Sequence, residues 1–259
     1  DIINSITTNS ILNDYSIAFN FKTDYVQPQP GNNDQIFRYW INNNIYEINI
    51  GGYINGVNYT GQVFAFPSGG TFDYSSGQTY NDGVWHTAVI IKNNSNNLLE
   101  TYVDGTLSST FTETPNVGTL EIEAGGDFAH HYEGNIDNLS IWSKTLSQQE
   151  IQQYINCPPN GSESDLVGYW NFEEGSGTTA FDLTSNGNDG TINGATYSTD
   201  VPLQNCCTPN PIALQPADQG VNIGDDANFS FTDNLTGASY QWQMDSGTGF
   251  TNLSNAGQF

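Results

Sequence analysis

The sequence predicts an all-β protein, built as an antiparallel β-sandwich with one short helix. Short segments rich in aromatic and β-branched residues recur along the chain, and turns rich in Gly or Asn separate them. Aromatic residues make up 13% of the 259 positions, whereas Met occurs once. This composition is typical of many short strands rather than of packed helices. A clear signal for a helix start follows one of the strand-like segments.

The first strands are predicted from alternation. Ile17, Phe19 and Phe21 alternate with smaller or polar residues, as in a strand that is buried on one face. A turn rich in Pro, Gly and Asn follows at residues 28–33. Further strand-like segments come next, separated by Asn- or Gly-rich turns, at residues 35–41, 45–50 and 62–66. Short strands at such regular spacing indicate a sandwich or a barrel.

A β-hairpin is predicted in the middle of the chain. Residues 82–91 lead through a polar turn into residues 98–105, and Asp104-Gly105 forms a tight turn after the second strand. Trp85 is predicted to lie in the core between the sheets. Its neighbour His86 is predicted to lie on the outer face or to be a structural histidine with its hydrogen bonds satisfied.

Residues 134–146 organise the chain, because they combine a strand with a capped helix. The apolar side chains of this strand are Ile136, Leu139, Ile141 and Trp142. Ser147 and Glu150 have the spacing of a capping box, in which each side chain bonds the other residue's backbone N–H. Leu146 before the cap and Ile151 within the helix can form a hydrophobic staple.

These motifs resemble those of the laminin-G-like, concanavalin A-like jelly-roll domains of secreted proteins. Members of that family carry Asp-Gly-x-Trp-His, then a strand ending in Val-Asp-Gly, then Gly-x-Ile-Asp before a closing Ile-Trp, Leu-Ser and helix. The same motifs occur here in the same order at residues 82–86, 103–105 and 134–151. The resemblance covers residues 11–156 and implies an antiparallel jelly-roll β-sandwich.

Residues 165–205 resemble the beginning of such a domain, although they follow its end. Either they open a second repeat, or they supply the opening strands of the first sandwich. The second interpretation is favoured, because the chain soon reaches Cys206-Cys207 and a Pro-rich segment. The first domain is therefore predicted to span residues 1–207.

A linker is predicted at residues 208–211, before a second module. Residues 212–259 resemble the first half of an immunoglobulin-like module, with Trp242 where such sandwiches bury a Trp. About 100 residues are needed for the whole module. The native chain is therefore expected to continue past Phe259 and to carry further domains on both sides.

Charge restricts the partners. The chain has 28 Asp and Glu against four Lys and Arg, a net charge of −24. Such a charge excludes nucleic acid and anionic lipid as partners. No apolar run is long enough to insert into a membrane. The acids indicate either a solvated surface suited to salt or sites for divalent cations, Ca²⁺ first.

The three cysteines predict a disulfide rather than a metal site, because none has metal-ligand spacing. Cys157 and Cys206 flank the block at residues 165–205, and Cys207 is the alternative partner. Closing about 50 residues stabilises by ~4 kcal/mol in the chain-entropy model. A disulfide implies an oxidising, extracellular or cell-surface location.

The family resemblance implies a structural Ca²⁺ site between a loop and a strand. The matching loop residues are Asp182, Asn186, Asn188 and Asp189, and the matching strand residue is Asp137. Carboxylates beside backbone carbonyls suit the six to eight oxygen ligands of Ca²⁺. The alternative is that the loop residues form Asx turns without a metal.

A glycan contact is predicted for the loop at residues 125–133, before the organising strand. Its candidate ligand-binding residues, together with an aromatic from another segment, are Asp127, His130, His131, Tyr132 and Tyr53. Aromatic rings can stack on sugars while acids and imidazoles hydrogen-bond to their hydroxyls. The alternative is that these aromatics belong to the core.

The predicted function is a non-catalytic carbohydrate-binding or adhesion module of a large secreted or cell-surface protein, with a glycan as partner and a structural Ca²⁺. A structural spacer without a ligand is the alternative. A glycoside hydrolase of the same fold is the least favoured reading, because Glu121, Glu123 and Asp127 depart from the family's catalytic pattern Glu-x-Asp-x-x-Glu. No catalytic residue is predicted.

Overall fold

The computed structural model describes residues 2–25, 34–51, 53–54, 57–67, 71–127, 130–204, 243–245 and 250–252. The side chains of Tyr53, Asp127, His130 and His131 lie outside this description. The chain divides into two compact units, residues 1–206 and 207–259. Among the described residues no helix is long and apolar enough to cross a membrane.

The first unit is built from antiparallel strands and one helix. Its strands are β1 Ile2–Leu12, β2 Tyr15–Lys22, β3 Asp34–Ile41, β4 Asn44–Ile50, β5 Tyr53–Ile54, β6 Val57–Asn58, β7 Val63–Pro67, β8 Thr71–Ser75, β9 His86–Asn93, β10 Leu98–Val103, β11 Thr106–Thr112, β12 Gly118–Ala124, β13 Gly126–Asp127, β14 His130–His131, β15 Asn135–Trp142, β16 Leu166–Trp170, β17 Thr179–Ala180 and β18 Gly190–Asn193. The helix is α1, Gln148–Asn156.

Most of these strands form two seven-stranded sheets. The first sheet has the order β17-β18-β1-β12-β3-β4-β7, and the second has the order β16-β15-β2-β9-β10-β11-β8. The strand pairs within both sheets are antiparallel. Apolar side chains from both sheets form one continuous core between them. The predicted all-β, antiparallel sandwich with one short helix is confirmed.

The core is rich in aromatic rings. Phe19 from the second sheet meets Phe37 from the first at 4.6 Å between ring centroids, in an edge-on arrangement. Tyr39 stacks on Tyr46 at 4.6 Å. Edge-on and stacked ring pairs add about 0.5–1.5 kcal/mol to the apolar burial itself. The alternating aromatics of the sequence therefore hold the two sheets together.

Helix α1 begins with the capping box that the sequence predicts. The Ser147 side chain accepts from the Glu150 backbone N–H, and the Glu150 side chain accepts from the Ser147 backbone N–H. Ile151 and Leu146 are both buried in a second apolar cluster with Trp142. The helix thus covers the outer face of the second sheet, beside β15.

Residues 166–193 contribute strands to both sheets. β16 pairs with β15 along the edge of the second sheet, and β18 pairs with β1 in the first. Trp170 on β16 is fully buried in the main core. Cys157, just after α1, is disulfide-bonded. Cys206 and Cys207 lie outside the described residues, so the predicted pairing of Cys157 with Cys206 stays a prediction.

Only two strands of the second unit are described. β19 Gln243–Asp245 and β20 Phe250–Asn252 form an antiparallel pair. The rest of the predicted immunoglobulin-like module, including Trp242, and the linker at 208–211 lie outside the described residues. The immunoglobulin-like assignment therefore stays a prediction.

Candidate functional site

One end of the sandwich carries a cleft with a volume of about 710 Å³. It lies where β12 and β16 end and where β9 and β15 begin. Its lining residues come from these strand ends and from the segment after β18: Trp85, Ala124, Gly125, Tyr132, Glu133, Gly134, Asn135, Ile136, Asp137, Phe172, Glu173, Ile192, Ala195, Thr196, Tyr197, Ser198, Asp200 and Val201. This volume suits a small ligand or a few sugar rings.

Aromatic side chains line several sides of the cleft. Trp85, Phe172 and Tyr197 are partly exposed, whereas Tyr132 is almost buried. The Tyr132 hydroxyl donates to the Lys22 carbonyl oxygen at 2.9 Å, which fixes the ring against β2. Flat apolar rings beside polar groups are the usual composition of a small-molecule pocket.

Carboxylates form the second component of the cleft. Glu133, Asp137, Glu173 and Asp200 all line it. Asn135 adds an amide, which both donates and accepts hydrogen bonds. The cleft therefore offers many acceptors and few donors to a ligand.

Asp137 is the most buried of these acids, with 4% of its surface exposed. Its Oδ1 accepts from the backbone N–H of Asn138 at 2.8 Å. A bulge interrupts the pairing of β15 with β2 between Asp137 and Ser140, and Asn138 has φ of 51° there. Bulges re-aim side chains, and Asn tolerates this left-handed backbone better than most residues.

The ionisation of Asp137 is strongly perturbed. Burial raises its pKa from 3.8 to about 7, the Asn138 N–H opposes this, and the charge of Glu173 adds to the rise. Desolvation disfavours the charged carboxylate, and a neighbouring like charge does the same. Asp137 therefore exchanges a proton near neutral pH, where its carboxyl can act as a donor or as an acceptor.

The segment after β18 crosses the cleft and is fixed by Asp200. The Asp200 carboxylate accepts from Lys22 Nζ at 2.7 Å and from the Trp85 indole Nε1 at 3.1 Å. These hydrogen bonds lower the pKa of Asp200. At the other side of the segment, the Tyr197 hydroxyl donates to Glu174 at 3.2 Å. The segment thus holds Trp85 in place at the cleft.

Every Lys and Arg of the chain has a carboxylate partner. The four cation–acid pairs are Lys22–Asp200 at 2.7 Å, Arg38–Glu47 at 4.0 Å, Lys92–Glu113 at 2.8 Å and Lys144–Glu150 at 2.7 Å. Of these four cations only Lys22 lies beside the cleft, and its charge is matched by Asp200. The remaining acids of the cleft have no cationic partner among the described residues.

One of the predicted ligand-binding residues, Tyr132, lies in this cleft. Asp127 and His130 face each other in the short β13–β14 pair, and His131 faces Gly126, immediately before Tyr132. The side chains of Asp127, His130, His131 and Tyr53 lie outside the described residues. Their predicted contacts with a glycan therefore stay predictions.

The loop residues predicted as calcium ligands are positioned by a set of hydrogen bonds. Asp182 accepts from the backbone N–H groups of Tyr169 and Asn188 and from Thr184. Asp189 in turn accepts from the Asp182 N–H. These contacts are those of Asx turns, the alternative interpretation of this loop.

Asp137 lines the cleft, whereas Asp182, Asn188 and Asp189 are not among the lining residues. Within the described residues, no group of three or more His, Cys, Asp or Glu side chains is arranged to hold a metal ion. The calcium assignment is not tested by these contacts, but Asp137 is the one predicted ligand that is open to the cleft.

The carboxylates considered for hydrolysis lie on β12. Glu121 faces Trp40 and Glu123 faces Arg38 across the β12–β3 pair. Burial raises the pKa of Glu123, whereas the neighbouring Arg38 lowers it. Neither residue lines the cleft.

Sequence reasoning missed most of the cleft. The prediction that Trp85 lies in the core is wrong, since its ring is partly exposed and lines the cleft. Trp85 comes just before β9, where strand alternation no longer fixes its facing. His86 is confirmed as a structural histidine, bonded to Asp104 at 2.7 Å and Asp82 at 3.1 Å. Tyr197 and Asp200 lie in a segment without periodicity and gave no signal.

A protein-family model of the laminin G type, described as "Concanavalin A-like lectin/glucanases superfamily", matches residues 3–152. No curated protein matches the chain significantly. Solved structures with the same kind of architecture do match.

A "putative carbohydrate binding protein" from Bacteroides ovatus ATCC 8483 has a TM-score of 0.57 and 14% identity, and the match covers 79% of this chain and 59% of that one. Domain 4 of the extracellular arabinanase AbnA from Geobacillus stearothermophilus, in complex with arabinotriose, has a TM-score of 0.45 and 16% identity, covering 57% and 69%. The CBM40 of a Ruminococcus gnavus sialidase has a TM-score of 0.38 and 13% identity, covering 56% and 83%. With its motifs, its sandwich and the family match over more than half its length, the chain belongs to the concanavalin A-like lectin/glucanases superfamily.

Proposed function

We propose that the chain is a non-catalytic carbohydrate-binding module and that the cleft at the end of the sandwich is its binding site. The observation that carries this proposal is the meeting of Trp85, Phe172 and Tyr197 with Asn135 and unpaired carboxylates in one cleft. Sugars present apolar C–H faces and hydroxyl groups together, so a site that binds them needs rings and acceptors at close quarters.

Trp85 is well suited to stack on a sugar ring. Its indole N–H is already taken by Asp200, which orients the ring while leaving part of its surface exposed. Ligand binding then orders little that is not ordered already, and preorganisation reduces the entropic cost of binding. The fold-level similarity to the Bacteroides ovatus protein, whose name describes carbohydrate binding, is in line with this role.

The test is a glycan array followed by calorimetry with Trp85→Ala. We expect the variant to bind its best glycan at least tenfold more weakly, since burial of a large apolar side chain contributes about 1.5–3 kcal/mol and a tenfold loss of affinity is about 1.4 kcal/mol. Trp40→Ala is the matched control, because Trp40 lies on the first sheet beside Arg38, away from the cleft lining. Equal losses in both variants contradict the assignment of the cleft.

The alternative role is a structural spacer without a ligand. The absence of binding to a broad array of neutral and charged glycans supports the spacer role and overturns the carbohydrate-binding proposal. Release of reducing ends from a bound polysaccharide, lost on Glu121→Gln or Glu123→Gln, overturns its non-catalytic part.

We also propose that the module acts outside the cell or on its surface, as part of a larger secreted protein. The disulfide-bonded state of Cys157 supports this, because such bonds persist in oxidising compartments. Purification from the secreted and cytoplasmic fractions of the native host tests the location directly. Recovery from the cytoplasm alone contradicts it.

A structural Ca²⁺ stays part of the proposal, with Asp137 as its candidate ligand. A cation beside Asp137 and Glu173 would relieve their mutual repulsion. The test is the melting temperature with Ca²⁺ and with EDTA. We expect a higher melting temperature with Ca²⁺ and a smaller difference in Asp137→Asn; equal melting temperatures for the wild-type protein remove the metal from the proposal.

A further inference from the structure

We propose that the cleft selects its glycans by charge: it takes sugars without acidic groups and excludes those that carry a carboxylate or a sulfate. This inference rests on the proposed carbohydrate-binding function and narrows it to a ligand class. It concerns the charges around the cleft, not the stacking rings.

Each Lys and Arg side chain of the chain already has a carboxylate partner. A sugar carboxylate or sulfate is normally held by Arg or Lys, through charge-assisted hydrogen bonds. The whole sequence contains four such residues. Each is engaged by a carboxylate of the first unit, and Lys92 is in addition fully buried.

Among the described residues, Lys22 is the one Lys or Arg beside the cleft. Its Nζ lies 2.7 Å from Asp200, which also accepts from Trp85. An acidic sugar at Lys22 would lie beside the Asp200 carboxylate, which already matches the Lys22 charge. The positive charge of Lys22 is therefore largely offset before any anionic ligand arrives.

The cleft itself is acidic. Asp137 and Glu173 repel each other there, and Glu133 adds another carboxylate. Asp137 is more than nine-tenths buried and lines the cleft, and its Oδ1 accepts a hydrogen bond from the neighbouring Asn138 N–H. Its remaining oxygen suits a sugar hydroxyl or N–H as donor, whereas an acid group there meets like charge.

Burial lowers the pKa of His86, but its hydrogen bonds to Asp104 and Asp82 raise that pKa overall, and these two carboxylates match any charge on its ring. The side chains of His130 and His131 lie outside the described residues, and an unperturbed imidazole is neutral at pH 8. Measurement at pH 8 in EDTA therefore removes imidazolium and divalent cations as bridges to an acid sugar.

The experiment uses pairs of oligosaccharides that differ only in their acid group. Oligomers of galacturonate, mannuronate and glucuronate are compared with their carboxyl-reduced counterparts by calorimetry, at pH 8 with EDTA and at low and high salt. The reduced member of a binding pair is expected to bind at least tenfold more tightly. The difference in affinity between the acidic and the reduced member is expected to become smaller at high salt, because salt screens exposed charges.

Matched variants locate the selectivity. Glu173→Gln removes one charge inside the cleft, and Glu121→Gln removes one from an exposed position on β12, outside the lining. We expect Glu173→Gln to reduce the difference in affinity between the acidic and the reduced member of a pair. Glu121→Gln is expected to leave this difference unchanged.

The outcomes separate this inference from the function on which it rests. Equal or tighter binding of the acidic members overturns the charge selectivity and leaves carbohydrate binding intact. The same narrowing in Glu173→Gln and Glu121→Gln also overturns it, since the effect then comes from net charge. If no glycan binds, either in these pairs or on the array, the carbohydrate-binding function itself is overturned.

Discussion

The buried charged groups at the two ends of strand β9 differ in whether they have a partner of opposite charge. At the far end, Lys92 is fully buried and its Nζ lies 2.8 Å from Glu113. At the near end, β9 begins at His86 beside the cleft, where Asp137 is almost as buried but faces Glu173, another acid. The far end pairs its buried charge within the fold, whereas at the near end the described residues give Asp137 no cationic partner.

This difference distinguishes a structural region from the proposed binding region. The pair at the far end adjoins a hydrogen-bonded cluster in which the Tyr15 and Tyr39 hydroxyls lie 3.2 Å apart. Burial raises the pKa of both tyrosines, and the charge of Glu113 contributes to this. Unmatched acids at the cleft reduce the stability of the fold. Proteins retain such acids at functional sites, where a ligand or an ion supplies the missing partner.

The largest effect is expected at the matched end. Glu113→Gln leaves Lys92 as an uncompensated buried cation, and removing one partner of a buried pair costs about 3–5 kcal/mol. The free energy of unfolding, from urea denaturation at pH 7, measures this loss. Replacing both residues by apolar ones of similar size is expected to restore most of the stability, and a loss below about 1 kcal/mol in the single variant contradicts the matched-charge description.

A smaller effect of opposite sign is expected at the cleft. Asp137 has a pKa of about 7 in the folded protein and 3.8 as its ordinary value. Between these values the folded protein keeps a proton that the unfolded chain has lost, so stability falls as pH rises through this window. The full rise corresponds to at most ~4 kcal/mol. Asp137→Asn is therefore expected to flatten the dependence and to stabilise the protein at pH 8 by about 1–3 kcal/mol.

Urea denaturation at pH 4.5 and pH 8 measures this change. Asp24→Asn, at an exposed position, is the charge-matched control and is expected to keep the wild-type dependence. If the free energy of unfolding changes between pH 4.5 and pH 8 as much in Asp137→Asn as in the wild-type protein, Asp137 ionises normally. That result contradicts the difference in charge matching between the two ends of β9.

The smallest effect is expected at an exposed ion pair. Lys144 and Glu150 lie 2.7 Å apart, but each side chain is 30% exposed. Lys144→Met is expected to cost less than about 1 kcal/mol, since exposed pairs gain little in water. The loss should shrink further in 1 M NaCl. If Lys144→Met lowers the free energy of unfolding as much as Glu113→Gln does, burial does not determine how much these ion pairs stabilise the protein.

The sequence was sufficient for the framework of the sandwich. The predicted strands at residues 35–41 and 45–50 became Asp34–Ile41 and Asn44–Ile50, because alternation of apolar residues reports directly which face is buried. The capping box at Ser147 fixed the start of the helix for the same local reason. Such features depend on near neighbours in the chain.

The cleft depends on distant segments and was therefore mostly invisible. Asp200 reaches Lys22 across 178 positions and Trp85 across 115. No local pattern marks such contacts. Asp137 was found because it belongs to a family motif, but its acid neighbour Glu173 was not, since their meeting depends on the pairing of β16 with β15. Strand order, which periodicity does not encode, decides which residues share the site.

If the cleft is the glycan site, the indole N–H of Trp85 reports on ligand binding directly. A ¹H–¹⁵N spectrum of the ¹⁵N-labelled protein would be recorded during titration with neutral oligosaccharides from the array, with the indole signals assigned from Trp85→Phe and Trp40→Phe. We expect the Trp85 signal to shift on binding and the Trp40 signal to stay in place. A shift of Trp40 with an unmoved Trp85 signal would place the glycan on the sheet face and contradict the account.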